Sequence, residues 1–231
     1  MKLLTDEKSN TKTRKSGGMG YESKIMHLAP AMESGHEVCA SRSTGCTTAC
    51  LFSAGRGKMN TVKKARIART KMFFADRNGF KKQLYKELTA FVRRCNKMNN
   101  VPVARLNGTS DILWEVIFPE MFDDFPDIKY MDYTKHVKRC KDGWSLPKNY
   151  HLTFSRSESN EKDCLEILEA AKVNVAAVFS SKNPPEEWRG FKTFDADSHD
   201  LRFLDPGPGQ VGALYAKGDA KKDTSGFVIQ V

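Results

Sequence analysis

Short apolar runs alternate with polar clusters along most of this chain. Seven such runs occupy residues 24–28, 101–106, 128–131, 151–154, 173–179, 191–194 and 211–216. Runs of this length that end abruptly in polar residues are typical of buried β-strands. Because helical stretches separate several of them, the pattern indicates a parallel sheet with crossover connections. We therefore predict an α/β fold, an incomplete parallel (β/α) barrel of about 6–7 strands.

Helical patterns lie between these runs. Asn60-Thr61 caps a predicted helix that Asn78-Gly79 ends, and a second basic helix follows. The second helix has one apolar stripe at helical spacing, formed by Phe80, Leu84, Leu88 and Phe91. A third helix is predicted over 161–172, capped by Ser159 or Asn160, and Pro119 interrupts a fourth over 111–122.

The chain is organised as a polar segment followed by one long patterned region. Residues 1–24 are basic and polar, and we predict a flexible or loosely docked arm there. Residues 25–231 are predicted to form a single (β/α) partial-barrel domain. The first residues turn polar at once and no run reaches the ~20 apolar residues of a membrane span, so we expect a cytoplasmic protein with no membrane partner.

Basic charge is concentrated in one segment. The chain has a net charge of +10, but Arg56 to Lys97 contains fourteen basic and two acidic residues, which leaves the rest slightly acidic. Such a run is either an ordinary solvated helix face or a patch that binds a nucleic-acid backbone or a nucleotide. The candidate nucleic-acid-binding residues are Arg56, Lys58, Lys63, Lys64, Arg66, Arg69 and Lys71.

Polar residues with useful chemistry follow the predicted strands. In parallel α/β folds the carboxyl ends of the strands meet at one rim, where sites form, although polar residues also simply begin loops. The candidates for contact with a cofactor or substrate are Asn107, Gly108, Thr109, Asp111, Ser155 and Arg156. The candidates for handling protons or phosphate are Asp132, Lys135, Asp197 and His199.

Three of the six cysteines, Cys39, Cys46 and Cys50, are closely spaced after the first predicted strand. Three thiolates can bind three irons of a [4Fe–4S] cluster and leave the fourth iron open. With His36 as a fourth ligand they can instead bind zinc at a closed structural site. The third interpretation is three ordinary thiols in a Gly/Ser/Thr-rich loop, and spacing alone leaves all three open.

Common catalytic motifs are missing from the sequence. Gly55-Arg56-Gly57-Lys58 is similar to a phosphate-binding loop, but Phe52 and Met59 replace its first glycine and its Mg²⁺-binding Ser/Thr. The chain also has no G-x-S-x-G and no H-E-x-x-H segment.

Several ordered blocks resemble a known family. They include GCTTACLFSAGRG, VKKARIARTKMFFADRNGF, VARLNGTSDILWE, LTFSRSE and FDADSHDLRFLDPGPGQVGALYAKGD. Over about residues 25–231 the chain resembles tailed-bacteriophage proteins of the gene product eighty-eight type, some of which carry replication-related labels. For a phage-encoded protein, the cytoplasm is that of the host cell.

That family is in turn similar to radical S-adenosylmethionine enzymes, which are partial (β/α) barrels. The resemblance implies a [4Fe–4S] cluster on Cys39, Cys46 and Cys50, with S-adenosylmethionine on the open iron. Asn107-Gly108-Thr109 resembles the polar turn that meets the cofactor in such barrels. The spacing here is C-x6-C-x3-C, whereas C-x3-C-x2-C is usual.

Two main functions are therefore expected. The first is an iron–sulfur, radical-SAM-like phage enzyme that acts on a nucleotide or nucleic acid. The second is a nucleic-acid-binding replication or host-takeover factor whose cysteine loop holds zinc or no metal. A third is a non-catalytic protein that binds a host partner through the barrel rim. The sequence gives no oligomeric state.

Overall fold

The computed structural model describes residues 1–6 and 19–231. These residues form a mixed α/β fold with ten strands in one mostly parallel sheet. The predicted α/β class is therefore confirmed. The sheet is open, so the predicted barrel is not confirmed. The chain forms two compact units, each assembled from three segments, where the sequence predicted one domain over 25–231.

The strands and helices have the following bounds. The strands are β1 (Leu4–Asp6), β2 (Tyr21–Met26), β3 (Val101–Arg105), β4 (Lys129–Thr134), β5 (Tyr150–Ser155), β6 (Val175–Phe179), β7 (Glu187–Trp188), β8 (Phe191–Asp195), β9 (Val211–Tyr215) and β10 (Val228–Ile229). The α-helices are α1 (Ala31–Ser34), α2 (Thr44–Thr48), α3 (Asn60–Ala75), α4 (Arg77–Lys97), α5 (Trp114–Ile117), α6 (Glu120–Asp124) and α7 (Glu161–Glu169). All seven predicted strands are present, as β2 to β6, β8 and β9.

The first unit comprises 1–40, 59–132 and 146–151. Its strands follow the order β1-β2-β3-β4, with β1 antiparallel to β2 and the β2–β3 and β3–β4 pairs parallel. The apolar stripe of α4 is fully buried, as its spacing predicted. Trp114 of α5 lies in an aromatic cluster with Phe73, Phe80 and Phe118, at ring-centroid distances of 5.4 to 6.3 Å.

The boundary between α3 and α4 is displaced from its predicted place. It falls at Asp76, whose carboxylate accepts a hydrogen bond from the Gly79 amide at 2.8 Å and caps α4. Asn78-Gly79 is therefore part of the first turn of α4 and does not end α3. An aspartate cap satisfies an amide that has no partner within the helix, so it outweighs the helix-breaking tendency of glycine here.

The second unit comprises 41–58, 133–145 and 152–231. Its strands follow the order β5-β6-β9-β8-β7, and β10 pairs in parallel with the carboxyl-terminal half of β6. Phe154, Val175, Phe179 and Val211 are buried in its core, against Ile167 and Leu168 of α7. Neighbouring strands are parallel from β5 to β8, and the short β7 is antiparallel to β8.

The predicted arm over residues 1–24 is only partly described, because residues 7–18 lie outside the described residues. Leu4–Asp6 is a strand paired with Lys24–Met26, and the side chains of Leu3 and Leu4 are buried. The backbone amides of Leu3 and Leu4 each donate a hydrogen bond to the Glu87 carboxylate, at 2.7 and 2.8 Å. Hydrogen bonding and burial thus tie these residues to the sheet and α4, whereas the sequence predicted a flexible or loosely docked arm.

Within the described residues, no helix is long and apolar enough to span a bilayer.

Candidate functional site

In the first unit, the residues after β3 form a buried polar turn centred on Asn107. The Asn107 side-chain oxygen accepts hydrogen bonds from the Ser110 hydroxyl (2.8 Å), the Ile112 amide (3.0 Å) and the Trp114 indole (3.1 Å). Its amide nitrogen donates to the Ile112 carbonyl at 2.9 Å. The side chain that the sequence assigned to cofactor contact is thus occupied in holding the turn.

Gly108 and Thr109 hold this turn against the end of β2. The Gly108 amide donates to the Met26 carbonyl at 2.9 Å, and the Thr109 hydroxyl donates to the Leu28 carbonyl at 2.6 Å. A Cβ on Gly108 would lie 2.6 Å from that Met26 oxygen, so only glycine permits this approach. The Asp111 amide donates to the Val38 carbonyl at 2.7 Å.

Asp132, predicted to handle protons or phosphate, is buried within β4 and joins two elements of the first unit. Its Oδ1 accepts from the Asn107 backbone amide at 2.7 Å, and its Oδ2 accepts from the Tyr150 hydroxyl at 2.9 Å. Only 1% of Asp132 is exposed. Tyr150, which sequence reasoning missed, stacks on Phe122 and has no local pattern that distinguishes it from an ordinary strand residue.

In the second unit, two predicted residues meet at the end of β5. The Lys135 ammonium donates to the Ser155 hydroxyl at 3.0 Å and lies 5.9 Å from the centre of the Phe227 ring. The next residue, Arg156, is buried, and its Nη1 donates to the carbonyls of Gly226 and Phe227 at 2.6 and 2.8 Å. Burial lowers the pKa of Arg156, partly offset by the nearby Glu161 carboxylate.

Asp197 and His199 follow β8 in the same unit. Asp197 accepts a hydrogen bond from the Tyr215 amide at 2.6 Å and forms an ion pair with Lys217. The His199 Nδ1 accepts from the Leu201 amide at 3.2 Å. Both side chains therefore hold the connection between β8 and β9 in place.

The cysteine loop is divided between the two units, with Cys39 in the first and Cys46 and Cys50 in the second. The Cys39 thiol lies 3.8 Å from the Thr109 carbonyl, and the Cys50 sulfur accepts from the Phe52 amide at 3.4 Å. His36 stacks on Phe74 with ring centroids 4.4 Å apart. Across residues 1–6 and 19–231, no group of three or more His, Cys, Asp or Glu side chains is arranged to hold a metal ion.

In this part of the chain the three thiols and His36 do not form a group that would hold a single metal ion, as a closed zinc site requires. Iron–sulfur and zinc binding therefore stay predictions. The other three cysteines, Cys95, Cys140 and Cys164, are buried. Burial raises the pKa of the Cys164 thiol to about 12, which suits a core residue and not a metal ligand.

Glu158, which sequence reasoning missed, holds the segment that contains Cys46. Its carboxylate accepts from the Ser43 hydroxyl and the Gly45 amide, both at 2.7 Å. The Ser43 hydroxyl oxygen in turn accepts from the Cys46 amide at 3.1 Å and caps α2. A Cβ on Gly45 would lie 2.7 Å from the Glu158 carboxylate, so the missing side chain lets the carboxylate approach the backbone.

We expect the Glu158 contact to make the stability of the protein depend on acid pH. Burial raises the Glu158 pKa, but the hydrogen bonds from Ser43 and Gly45 outweigh it and bring the pKa below its usual 4.5. A lowered folded-state pKa stabilises the fold above pH 4.5, and this stabilisation is lost as pH falls through the folded-state value. Urea unfolding between pH 7 and 3 should show a weaker pH dependence for Glu158→Gln than for wild type. Parallel curves would contradict the role of this carboxylate.

The basic residues of α3 fall into a buried group and an exposed group. Arg66 and Arg69 are buried on the side that also carries Thr70 and Phe73. The Arg69 Nε donates to the Lys2 carbonyl at 2.9 Å, and burial lowers its pKa, partly offset by Glu87. Their burial does not favour contact with a phosphate, so the nucleic-acid contact of these two arginines stays a prediction. Lys64 and Lys71 of α3 are exposed and Lys63 is half-buried. Arg56 and Lys58, which precede α3, are also exposed.

Four basic residues of α4, absent from the predicted set, form one exposed row. We call Lys82, Lys86, Arg93 and Lys97 the α4 basic row; all four are exposed. Their spacing of 4, 7 and 4 residues places them within about 60° on a helix, opposite the buried stripe of Phe80 to Cys95. Within the described residues none of the four forms an ion pair. The 4-7-4 spacing was the sequence signal that could have identified them.

The other three basic residues of α4 are engaged within the fold. Lys81 pairs with Glu120, the Arg94 Nε lies 3.1 Å from a Glu22 carboxylate oxygen, and the Arg77 guanidinium lies 3.7 Å from the Phe73 ring centre. The acidic groups near α4 are thus used by residues outside the α4 basic row. The row is left as a strip of positive charge facing solvent.

The fold and these contacts define a mixed α/β protein with an open, mostly parallel sheet and an exposed basic helix. The chain belongs to the Gene product 88 family, whose model matches residues 2–231, and this confirms the resemblance to the phage gene-product family. Similarity to radical S-adenosylmethionine enzymes is not shown. Comparison with curated proteins and with solved structures found no match.

Proposed function

We propose that this protein binds the phosphate backbone of a nucleic acid through the α4 basic row. The observation that carries the proposal is four exposed cations on the solvent-facing side of one helix, without carboxylate partners in the described part of the chain. When such a row neutralises phosphates, counterions are released from the nucleic acid. This release drives binding of the nucleic acid regardless of its sequence.

The row spans a length suited to a polynucleotide. Lys82 and Lys97 are fifteen residues apart, which corresponds to about 22 Å along an α-helix. A nucleic-acid strand presents several phosphates over that distance, at about 3.4 Å per charge along the duplex axis. The regular burial of the opposite side of α4 fixes the direction in which the row faces.

The charges of the row also oppose helix stability. Lys82 and Lys86, and likewise Arg93 and Lys97, are like charges four residues apart, and each such pair costs about 0.2–0.5 kcal/mol in an isolated helix. A bound polyanion removes this repulsion. Exposed Lys64 and Lys71, seven residues apart on one side of α3, add two cations to the same unit.

The radical chemistry predicted from the cysteines stays a prediction, whereas the exposure and charge of the α4 basic row are described in the structure. Among the predicted functions, we therefore place nucleic-acid binding first.

The test is a quadruple variant in which Lys82, Lys86, Arg93 and Lys97 are each replaced by glutamine. Wild type is expected to shift the mobility of a duplex DNA, with log K falling steeply as log salt concentration rises. Each lost phosphate contact should flatten that slope by about 0.9, so the full row should flatten it by up to about 3.6.

The matched control removes the same charge elsewhere, at exposed Lys138, Lys148, Lys162 and Lys192. This control should bind like wild type. Equal weakening of both variants would show that net charge and not the α4 basic row attracts the DNA. No binding by wild type to duplex or single-stranded nucleic acid at low salt would overturn the proposal.

A further inference from the structure

Two lysines converge on one tyrosine at the carboxyl ends of β6 and β9 in the second unit. These strands are parallel neighbours, with Phe179 opposite Tyr215, so their ends lie at the same edge of the sheet. Lys182 comes three residues after β6, and Lys221 lies in the 3₁₀-helix Gly218–Lys222 after β9. This edge is where parallel α/β proteins place their ligand sites.

The ammonium groups lie close to the same ring. The Lys182 and Lys221 nitrogens are 5.7 and 5.4 Å from the centre of the Tyr215 ring, within range of a cation–π contact. Both lysines are exposed and Tyr215 is half-buried. Both ammonium groups therefore lie near the same ring.

The nearby carboxylates are engaged with other groups. Asp197 pairs with Lys217 and accepts from the Tyr215 amide, and an Asp219 oxygen lies 4.0 Å from the Lys58 nitrogen. Asp223 accepts hydrogen bonds from Ser225 and from the Val228 amide. Among described residues, neither Lys182 nor Lys221 pairs with a carboxylate.

We propose that Lys182, Tyr215 and Lys221 form a binding site for a phosphate group, either as inorganic phosphate or as the phosphate of a small ester. Each ammonium offers three N–H donors and the phenol offers one O–H donor, while none of these groups is a strong acceptor anion. A doubly charged oxyanion is the ligand that such a donor set recognises. The site belongs to the second unit and does not depend on the α4 basic row.

Isothermal titration of the full chain with inorganic phosphate and with pyrophosphate tests this site. Wild type is expected to bind one anion per chain with saturation. The double variant Lys182→Gln/Lys221→Gln should bind about tenfold more weakly or worse, because it loses both charged donors. Lys138→Gln/Lys192→Gln removes the same charge from exposed positions of the same unit and should bind like wild type.

The quadruple α4 variant separates this site from nucleic-acid binding. It should retain phosphate binding, whereas the Lys182/Lys221 variant should retain DNA binding. Titrating inorganic phosphate and glycerol phosphate separately distinguishes the free ion from a small ester. Equal affinity of the Lys182/Lys221 variant and its control, or no saturable binding of any of these anions by wild type, would overturn the proposal. Circular dichroism of each variant establishes that it is folded.

Discussion

Replacing Asp132 by alanine is expected to lower the free energy of unfolding by about 2–6 kcal/mol. The change leaves the Asn107 amide and the Tyr150 hydroxyl buried without the acceptor they now use. Each buried donor that loses its partner costs about 1–3 kcal/mol. The measurement is urea unfolding followed by circular dichroism at neutral pH.

Asp132→Asn is the matched variant for this prediction. Its side-chain oxygen can still accept from the Asn107 amide, and its amide group can donate to the Tyr150 oxygen. The loss of stability should therefore be clearly smaller than for alanine. If alanine and asparagine variants were as stable as wild type, Asp132 would not join the strand end to Tyr150, and a role in chemistry would become the better explanation of its position.

Replacing Trp114 by alanine is expected to cost about 3–5 kcal/mol, the range for removal of a large aromatic side chain from a core. Trp114 is fully buried and its ring lies 5.4 Å from Phe73 and 6.3 Å from Phe80. Its indole also donates to the Asn107 oxygen at 3.1 Å, so the same change weakens the polar turn after β3. Thermal unfolding should show a large decrease in Tm.

Trp114→Phe separates packing from hydrogen bonding in this cluster. The ring contacts are largely kept, and the Asn107 oxygen still accepts from Ser110 and Ile112. A much smaller decrease in Tm is expected than for alanine. Equal decreases for the two variants would mean that the indole N–H, and not ring packing, provides most of the stabilisation.

The parallel strands and long helices were predictable because their patterns are local. An apolar run such as 173–179 needs burial on both faces, and the stripe from Phe80 to Phe91 defines the buried side of α4. In contrast, β1, β7 and β10 contain only two or three residues, which are too few to show a periodicity. Closure of a sheet depends on strand tilt and stagger, which a local pattern does not encode, so the open sheet was not predicted.

The buried arginines of α3 show a second limit of prediction from sequence patterns. Arg66, Arg69, Thr70 and Phe73 have the i, i+3, i+4, i+7 spacing of a buried side, but three of them are polar. A hydrophobicity pattern therefore predicts that the arginine side chains are exposed to solvent. Their burial depends on contacts far along the chain, such as the Lys2 carbonyl that accepts from Arg69, and such partners are set only by the folded structure.

The polar residues at the strand ends were found by position, but position did not reveal their roles. Asn107 follows β3, as expected, whereas Asp132 lies within β4. Their side chains form hydrogen bonds with buried donors and acceptors, as the polar groups of a protein interior generally do. In the second unit, Tyr215 ends β9 and Lys182 comes three residues after β6; Lys182 is exposed and Tyr215 is half-buried.

The distribution of tryptophan gives each compact unit its own optical signal. Of the three tryptophans, Trp114 is the only one in the first unit, whereas Trp144 and Trp188 belong to the second. Trp114 is shielded from water, so its fluorescence should shift to longer wavelength when the first unit opens. The emission of Trp114→Phe then reports on the second unit alone. Comparing the two proteins during denaturation shows whether the units unfold together or one after the other.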